Sequence, residues 1–179
     1  MMPTAARHIL RTSSAARGEI SDLLQALLVA ELISPSGCIW LVSPWLSNIP
    51  VIDNRSGAMR GLDAGWARRQ IRLVEVLAHL LEVGSEVHVV VRPGAGNEAV
   101  LAELEGAAGR WRHARRLHLE RRPDLHAKGL LGDDYCLSGS MNFTRNGVEH
   151  LDEMVTLVID SAEVARLRLA FTHEYGGPA

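Results

Sequence analysis

The stretch Leu125 to Asn142, LHAKGLLGDDYCLSGSMN, sets His126, Lys128 and Asp133 in the order HxKx4D and follows them with Gly139, Ser140 and Asn142 as GSxN. Leu125 to Leu131 has β character, Gly132, Asp133 and Asp134 are turn residues, and Tyr135 to Leu137 is a second apolar run, so the stretch reads as a hairpin. Residues two apart in a strand share a face. On that rule His126 and Lys128 point the same way, while Leu125, Ala127 and Leu131 point into packing. Asp133 falls at the turn, where it is expected to hold the hairpin or balance local charge rather than touch substrate.

The residue types suit one chemistry. A neutral imidazole is a nucleophile, an imidazolium is a general acid, and a neighbouring ammonium holds a phosphoryl oxygen while charge builds on it. Ser140 and Asn142, again two apart, add neutral hydrogen-bonding groups. The set fits phosphoryl transfer without a metal. Of the 19 basic residues, Lys128 is the only lysine, which fits a compact point charge at a position where a planar guanidinium is a poor substitute.

Working outward, 179 residues with 47% hydrophobic and 22% charged content describe one globular domain, long enough to bury a proper core. A net charge of −2 exerts no global pull on polyanions, so nucleic-acid binding requires a local basic face. Cys38 and Cys136 fall in separate apolar runs, as buried thiols of a reducing cytoplasm do. No Cys and His spacing along the chain marks a metal site. The first residues lack the apolar core of a signal peptide, and no run reaches membrane-spanning length. The expectation is a cytoplasmic protein without a cofactor, in which residues 1–18 are a loosely ordered arm and 19–179 the catalytic domain.

Within that domain the apolar periodicity predicts a helix over 19–34, a buried strand over 38–43, a helix over 70–83 and a β-branched strand over 86–92. A short helix follows Asn97, then a strand through Leu117 and Leu119, the hairpin, a strand over 153–160 and a closing helix over 161–175. Helix followed by strand, twice, implies parallel βαβ packing. The segment 44–67 is rich in Gly, Asn and Pro. It is expected to overhang the site and offer Trp45, Asn48, Arg55 and Arg60 as contacts. Arg110 to Arg122 is the one dense basic run. Its Arg115, Arg116, Arg121 and Arg122 are candidate substrate-binding residues because the run leads straight into His126. The alternative is a solvated face paired with Glu103, Glu105 and Glu120.

The paired HxKx4D and GSxN motifs resemble the signature of the phospholipase D superfamily, over about Leu117 to Asp160. That resemblance implies an α/β/α sandwich around a mixed, largely parallel sheet. It also implies a metal-free site where two such motifs meet: one histidine forms a phosphohistidine, and the other protonates the leaving oxygen and then activates water. A chain with one motif resembles the compact nuclease branch, in which two identical subunits share a site. Carried over, His126 is nucleophile in one subunit and acid/base in the other, Lys128 and Asn142 bind phosphoryl oxygens with Ser140 assisting, and Glu153 orients the histidine, with Asp152 as fallback. In one departure from the family pattern, five residues, Asp134 to Ser138, separate the motif aspartate from GS where six are common.

The superfamily spans several leaving groups, so the motif gives chemistry rather than substrate. Small size, the single motif and the basic run favour a nuclease acting as a homodimer on DNA or RNA. Resemblance to components of DNA-defence systems adds partner proteins as an expectation. The alternatives are an enzyme of lipid or small-molecule phosphodiesters and a non-catalytic nucleic-acid-binding subunit.

Overall fold

The computed structural model describes residues 6–11, 18–63, 65–110 and 114–178. Its frame is a seven-stranded mixed sheet in the order β1-β9-β8-β7-β2-β5-β6. The strands are β1 Ala6–Arg11, β2 Cys38–Val42, β5 Glu86–Val91, β6 Leu117–Arg121, β7 Gly129–Leu131, β8 Cys136–Gly139 and β9 Glu153–Val158. β2, β5 and β6 are parallel, as the helix-then-strand order requires, and every pairing from β2 through β7, β8 and β9 to β1 is antiparallel. A separate two-stranded ladder pairs β3 Pro50–Asp53 with β4 Gln70–Arg72.

The helices divide between the two faces of the sheet. α1 Glu19–Ile33, α2 Leu73–Val83 and α3 Ala95–Arg110 lie on one side. There Leu24, Leu28, Leu77, Leu80, Leu101 and Leu104 bury against Ile39, Leu41, Val87 and Val89. On the other side α4 Ser161–Tyr175 packs Val164, Leu167 and Phe171 on Trp40, Val42, Leu131 and Cys136. β2 is buried at all five positions, which is why CIWLV carries no alternation: both of its faces meet helices. The molecule is therefore an α/β fold of three layers.

Three expectations are corrected. Residues 6–11 belong to the sheet, with Ile9 3% exposed in the core and β1 paired along β9. One buried side chain in a polar stretch is too weak a pattern to announce a strand; residues 1–5 and 12–17 lie outside the described residues. The helix expected from Gln70 begins at Leu73, because Gln70–Arg72 pairs with β3. Finally, 44–67 does not overhang the site as a loop. Its β3 packs against α1, with Asp53 N–H donating to Gln25 at 2.7 Å. Asn48 Oδ1 accepts from Val74 N–H at 3.1 Å at the start of α2, and Arg55 is ion-paired with Asp53.

The hairpin turn is held by contacts from outside it. Asp133 accepts from Gly37 N–H at 2.8 Å and is ion-paired with Arg168, and its own N–H donates to Ser36 Oγ at 2.8 Å. A Cβ on Gly132 would sit 2.5 Å from Glu31 Oε1, so only glycine lets the turn lie this close.

Candidate active site

Parallel strands end together, and here their ends collect the motif. Val42, Val91 and Arg121 close β2, β5 and β6 at one edge of the sheet, β7 starts at that edge, β8 ends there and β9 starts there. His126, Lys128, Ser140, Asn142 and Glu153 therefore lie at the carboxyl ends of the parallel strands, where open α/β sheets bind ligands.

His126 is not in the strand. β7 begins only at Gly129, and His126 lies on the extended lead-in, so strict alternation stops short of it. His126 and Ala127 are both exposed and Lys128 is half-buried, which corrects the expectation that Ala127 packs inward. Leu125, 5% exposed, is the anchor that fixes the lead-in against Val42, Val90 and Leu131. Lys128 Nζ donates to the His126 carbonyl at 2.7 Å.

Arg92 holds the imidazole itself. Its Nε donates to the Leu125 carbonyl at 2.7 Å, and its Nη2 lies 2.8 Å from His126 Nε2. A guanidinium only donates, so Nε2 presents its lone pair and the ring proton is assigned to Nδ1. Arg92 in turn is seated by its backbone: its N–H donates to Pro44 O at 3.2 Å and its carbonyl accepts from Asn97 Nδ2 at 2.7 Å. Sequence reading passed over this residue. The available signal was a cation placed where a buried strand ends, just before Pro93-Gly94.

GSxN forms the opposite wall. Ser140 Oγ donates to Glu153, 6% exposed, and accepts from Met154 N–H at 3.0 Å. Gly139 takes φ 154°, and a Cβ there would lie 2.1 Å from Met154 O, so the motif glycine is what lets β8 close on β9 and bring Ser140 to Glu153. Within one chain Glu153 thus holds Ser140, while Arg92 holds His126. Asn142 Oδ1 is buried without a hydrogen-bond partner, an uncommon condition in a folded protein.

The basic run divides. Arg115 and Arg116 precede β6, at the opposite end of the sheet from His126, and Arg116 donates to Leu81 O at 3.4 Å. Their expected contact with substrate at this site does not fit that placement. Arg121 and Arg122 are at the right end but engaged: Arg121 pairs with Glu98, whose carboxyl it holds below the usual range, and Arg122 pairs with Glu120 and Glu174. Residues 111–113 of the run lie outside the described residues. Of the contacts expected from 44–67, Trp45 is at the catalytic edge, beside Gly94 and 47% exposed.

The gap between Lys128, Ser138, Gly139 and Phe143 at this edge is too narrow to admit a water molecule. A cleft of ≈ 210 Å³ lies by α2 and α3, but in its lining Asp63, Glu75, Glu82 and Glu103 outnumber Arg69, and that net charge repels a phosphodiester.

Neither a protein-family model nor a curated protein matches the sequence. Solved structures do match the fold. Nuc from Salmonella typhimurium, described as a phospholipase D family member, superposes with a TM-score of 0.59 at 14% identity, over 96% of this chain and 93% of its own. NucT from Helicobacter pylori gives 0.54 at 12% identity, over 94% of each chain. Polyphosphate kinase from Porphyromonas gingivalis gives 0.61 at 17% identity, over 97% of this chain but 26% of the kinase.

Proposed function

From a chain that has the phospholipase D fold, we propose a metal-independent phosphodiesterase, a nuclease acting on DNA or RNA, whose site is completed by a second copy of the chain. The observation that carries this reading is the convergence of Arg92 and Lys128 on the His126 segment at the carboxyl edge of the parallel strands, with Asn142 following β8 at the same edge. Nε2 of His126 attacks phosphorus, forming an N–P bond as the P–O bond to the leaving group breaks. The second copy's histidine gives that oxygen a proton and then takes one from the water that hydrolyses the phosphohistidine.

Lys128 and Arg92 now donate to the carbonyls of His126 and Leu125. Phosphoryl oxygens replace those acceptors when substrate arrives, and the N–H that Arg92 directs at Nε2 passes to an oxygen, freeing the lone pair. Both cations are in place before charge develops, which is how electrostatic stabilisation is most effective. Asn142 supplies a neutral contact, and Ser140 with Glu153 forms the wall facing the leaving side. Arg121 and Arg122 are the cations of the basic run that border a polymer's path.

Two features support the shared site. One chain offers a single HxK histidine, and Leu10 and Met154, in register across β1 and β9 next to Glu153, are 62% and 56% exposed. An apolar pair on an open sheet face suits a homodimer. The test is hydrolysis of single- and double-stranded DNA, RNA and a chromogenic phosphodiester in EDTA, by wild type and His126→Ala, alongside light scattering. The reading expects turnover in EDTA, its loss in the variant, and a dimer. Cleavage only of the small diester points to a non-nucleic-acid substrate, and a strict need for divalent metal overturns the mechanism.

A further inference from the structure

At the other end of the sheet a second set of side chains converges. The parallel registers Cys38↔Glu86, Trp40↔His88 and His88↔His118 put Cys38, Glu86, His88 and His118 on one face of β2, β5 and β6. The Cys38, Glu86 and His88 ligand atoms lie within 4.8 Å of one another. His88 is 4% exposed, yet its Nε2 has no hydrogen-bond partner. That nitrogen is 3.6 Å from Glu86 Oε2, and His118 Nε2 is 4.0 Å from the same oxygen.

These separations are too long for hydrogen bonds. They are close to the roughly 3.3 Å between two ligands held about 2.0 to 2.1 Å from one tetrahedral ion. We propose that Cys38, Glu86 and His88 bind a zinc-class divalent cation, with His118 as the fourth ligand. The stacked rings of His88 and His118, 4.2 Å apart at 15°, already bring both Nε2 atoms to Glu86, and the half-exposed His118 has room to turn onto the ion.

Charge and chemistry agree with this ligand set. A thiolate, a carboxylate and two neutral imidazoles cancel a divalent charge beneath a buried surface, and sulfur with imidazole selects zinc over magnesium or calcium. Burial, reinforced by the Glu86 charge, pushes the Cys38 thiol up to about 12. Binding therefore forms the S–metal bond as the S–H proton leaves to solvent. Gly176 and Gly177 close the site from above: Trp40 Nε1 donates to Gly176 O at 2.9 Å, and a Cβ on Gly177 would lie 3.2 Å from His88 Nε2. Arg168, over the Trp40 ring, is neutralised by Asp133. The site is structural, on the order of 13 Å along β5 from Arg92.

Cobalt(II) titrated into metal-stripped full-length protein tests the proposal. One equivalent should bind with intense tetrahedral d–d absorption, a thiolate-to-cobalt charge-transfer band and release of about one proton. Cys38→Ser should lose the band and the proton, whereas Cys136→Ser keeps both. His118→Ala should weaken binding by about tenfold or more and abolish the rise in melting temperature on adding zinc, with phosphodiester hydrolysis unchanged. A weak octahedral spectrum, or binding indifferent to Cys38→Ser and His118→Ala, overturns it. If Cys38→Ser does not fold, His118→Ala and Glu86→Gln, on half-exposed side chains, decide the matter alone.

Discussion

β5 has two ends of opposite character. Where it finishes, Arg92 reaches out to an exposed imidazole, and the polar groups there are satisfied by backbone carbonyls that an incoming anion can replace. Where it starts, His88 is enclosed by Trp40, His118 and the chain after α4, and its Nε2 makes no hydrogen bond, with Glu86 Oε2 held off at 3.6 Å. On the readings proposed above, the same residue type serves an external substrate at one end and internal structure at the other. Exposure decides between them, because a partner that must leave during turnover has to be one that water or substrate can take over.

The widest separation of the two ends is expected from His126→Ala, which should lower hydrolysis by at least about 10³-fold with an unchanged melting temperature, as steady-state rates and thermal melts will show. Arg92→Ala comes next, at about 10- to 100-fold, mostly in kcat. Arg92→Lys should recover only part of this, since an ammonium keeps the charge but not the fork that spans Leu125 O and His126 Nε2. Equal rates for the alanine and lysine variants would assign Arg92 to charge alone. Asp133→Ala should do the reverse of His126→Ala. Loss of its bonds to Gly37 and Arg168 costs about 1 to 2 kcal/mol in urea unfolding and leaves hydrolysis intact.

A smaller effect separates the ends by pH. Burial, with His118 adding to it, holds His88 below the ordinary imidazole value of 6.5. A depressed value means the unfolded chain takes up the proton first, so stability is full above 6.5 and is lost as pH falls through the depressed value. Unfolding midpoints between pH 8 and 5 should show this decline in metal-free protein, and His88→Gln should flatten it. Least of all, Arg121→Ala should change DNA hydrolysis by less than about threefold at 0.15 M salt, because Glu98 already occupies that guanidinium.

Much of this was legible in the chain. The apolar runs placed α1, β2, α2, β5, β9 and α4 to within a few residues, since those elements bury whole faces, and burial writes itself as period. His126, Lys128, Ser140 and Asn142 stood out as candidates because the proposed chemistry needs fixed residue types at short spacing, and Glu153 entered through the family resemblance. β1 was not legible, with Ile9 deeply buried in an otherwise polar stretch, nor was the fate of 44–67, whose β3 pairs with β4 just beyond that segment. Pairing of the basic run with glutamates was among the readings the sequence allowed, and Glu120 does take Arg122, but Glu98 on Arg121 and Glu174 on Arg122 were hidden because they are remote in sequence.

Sequence by itself determined most of the elements, gave the layer order through the family resemblance, and set out the local motif of a candidate phosphoryl-transfer site. Tertiary structure alone decided what stands beside that motif: Arg92 on His126, Glu153 on Ser140, and Cys38 near His88 fifty residues away. The reason is physical. A periodic pattern records which face of an element is buried, but strand register decides which side chains meet, and register is set only when the whole sheet is assembled.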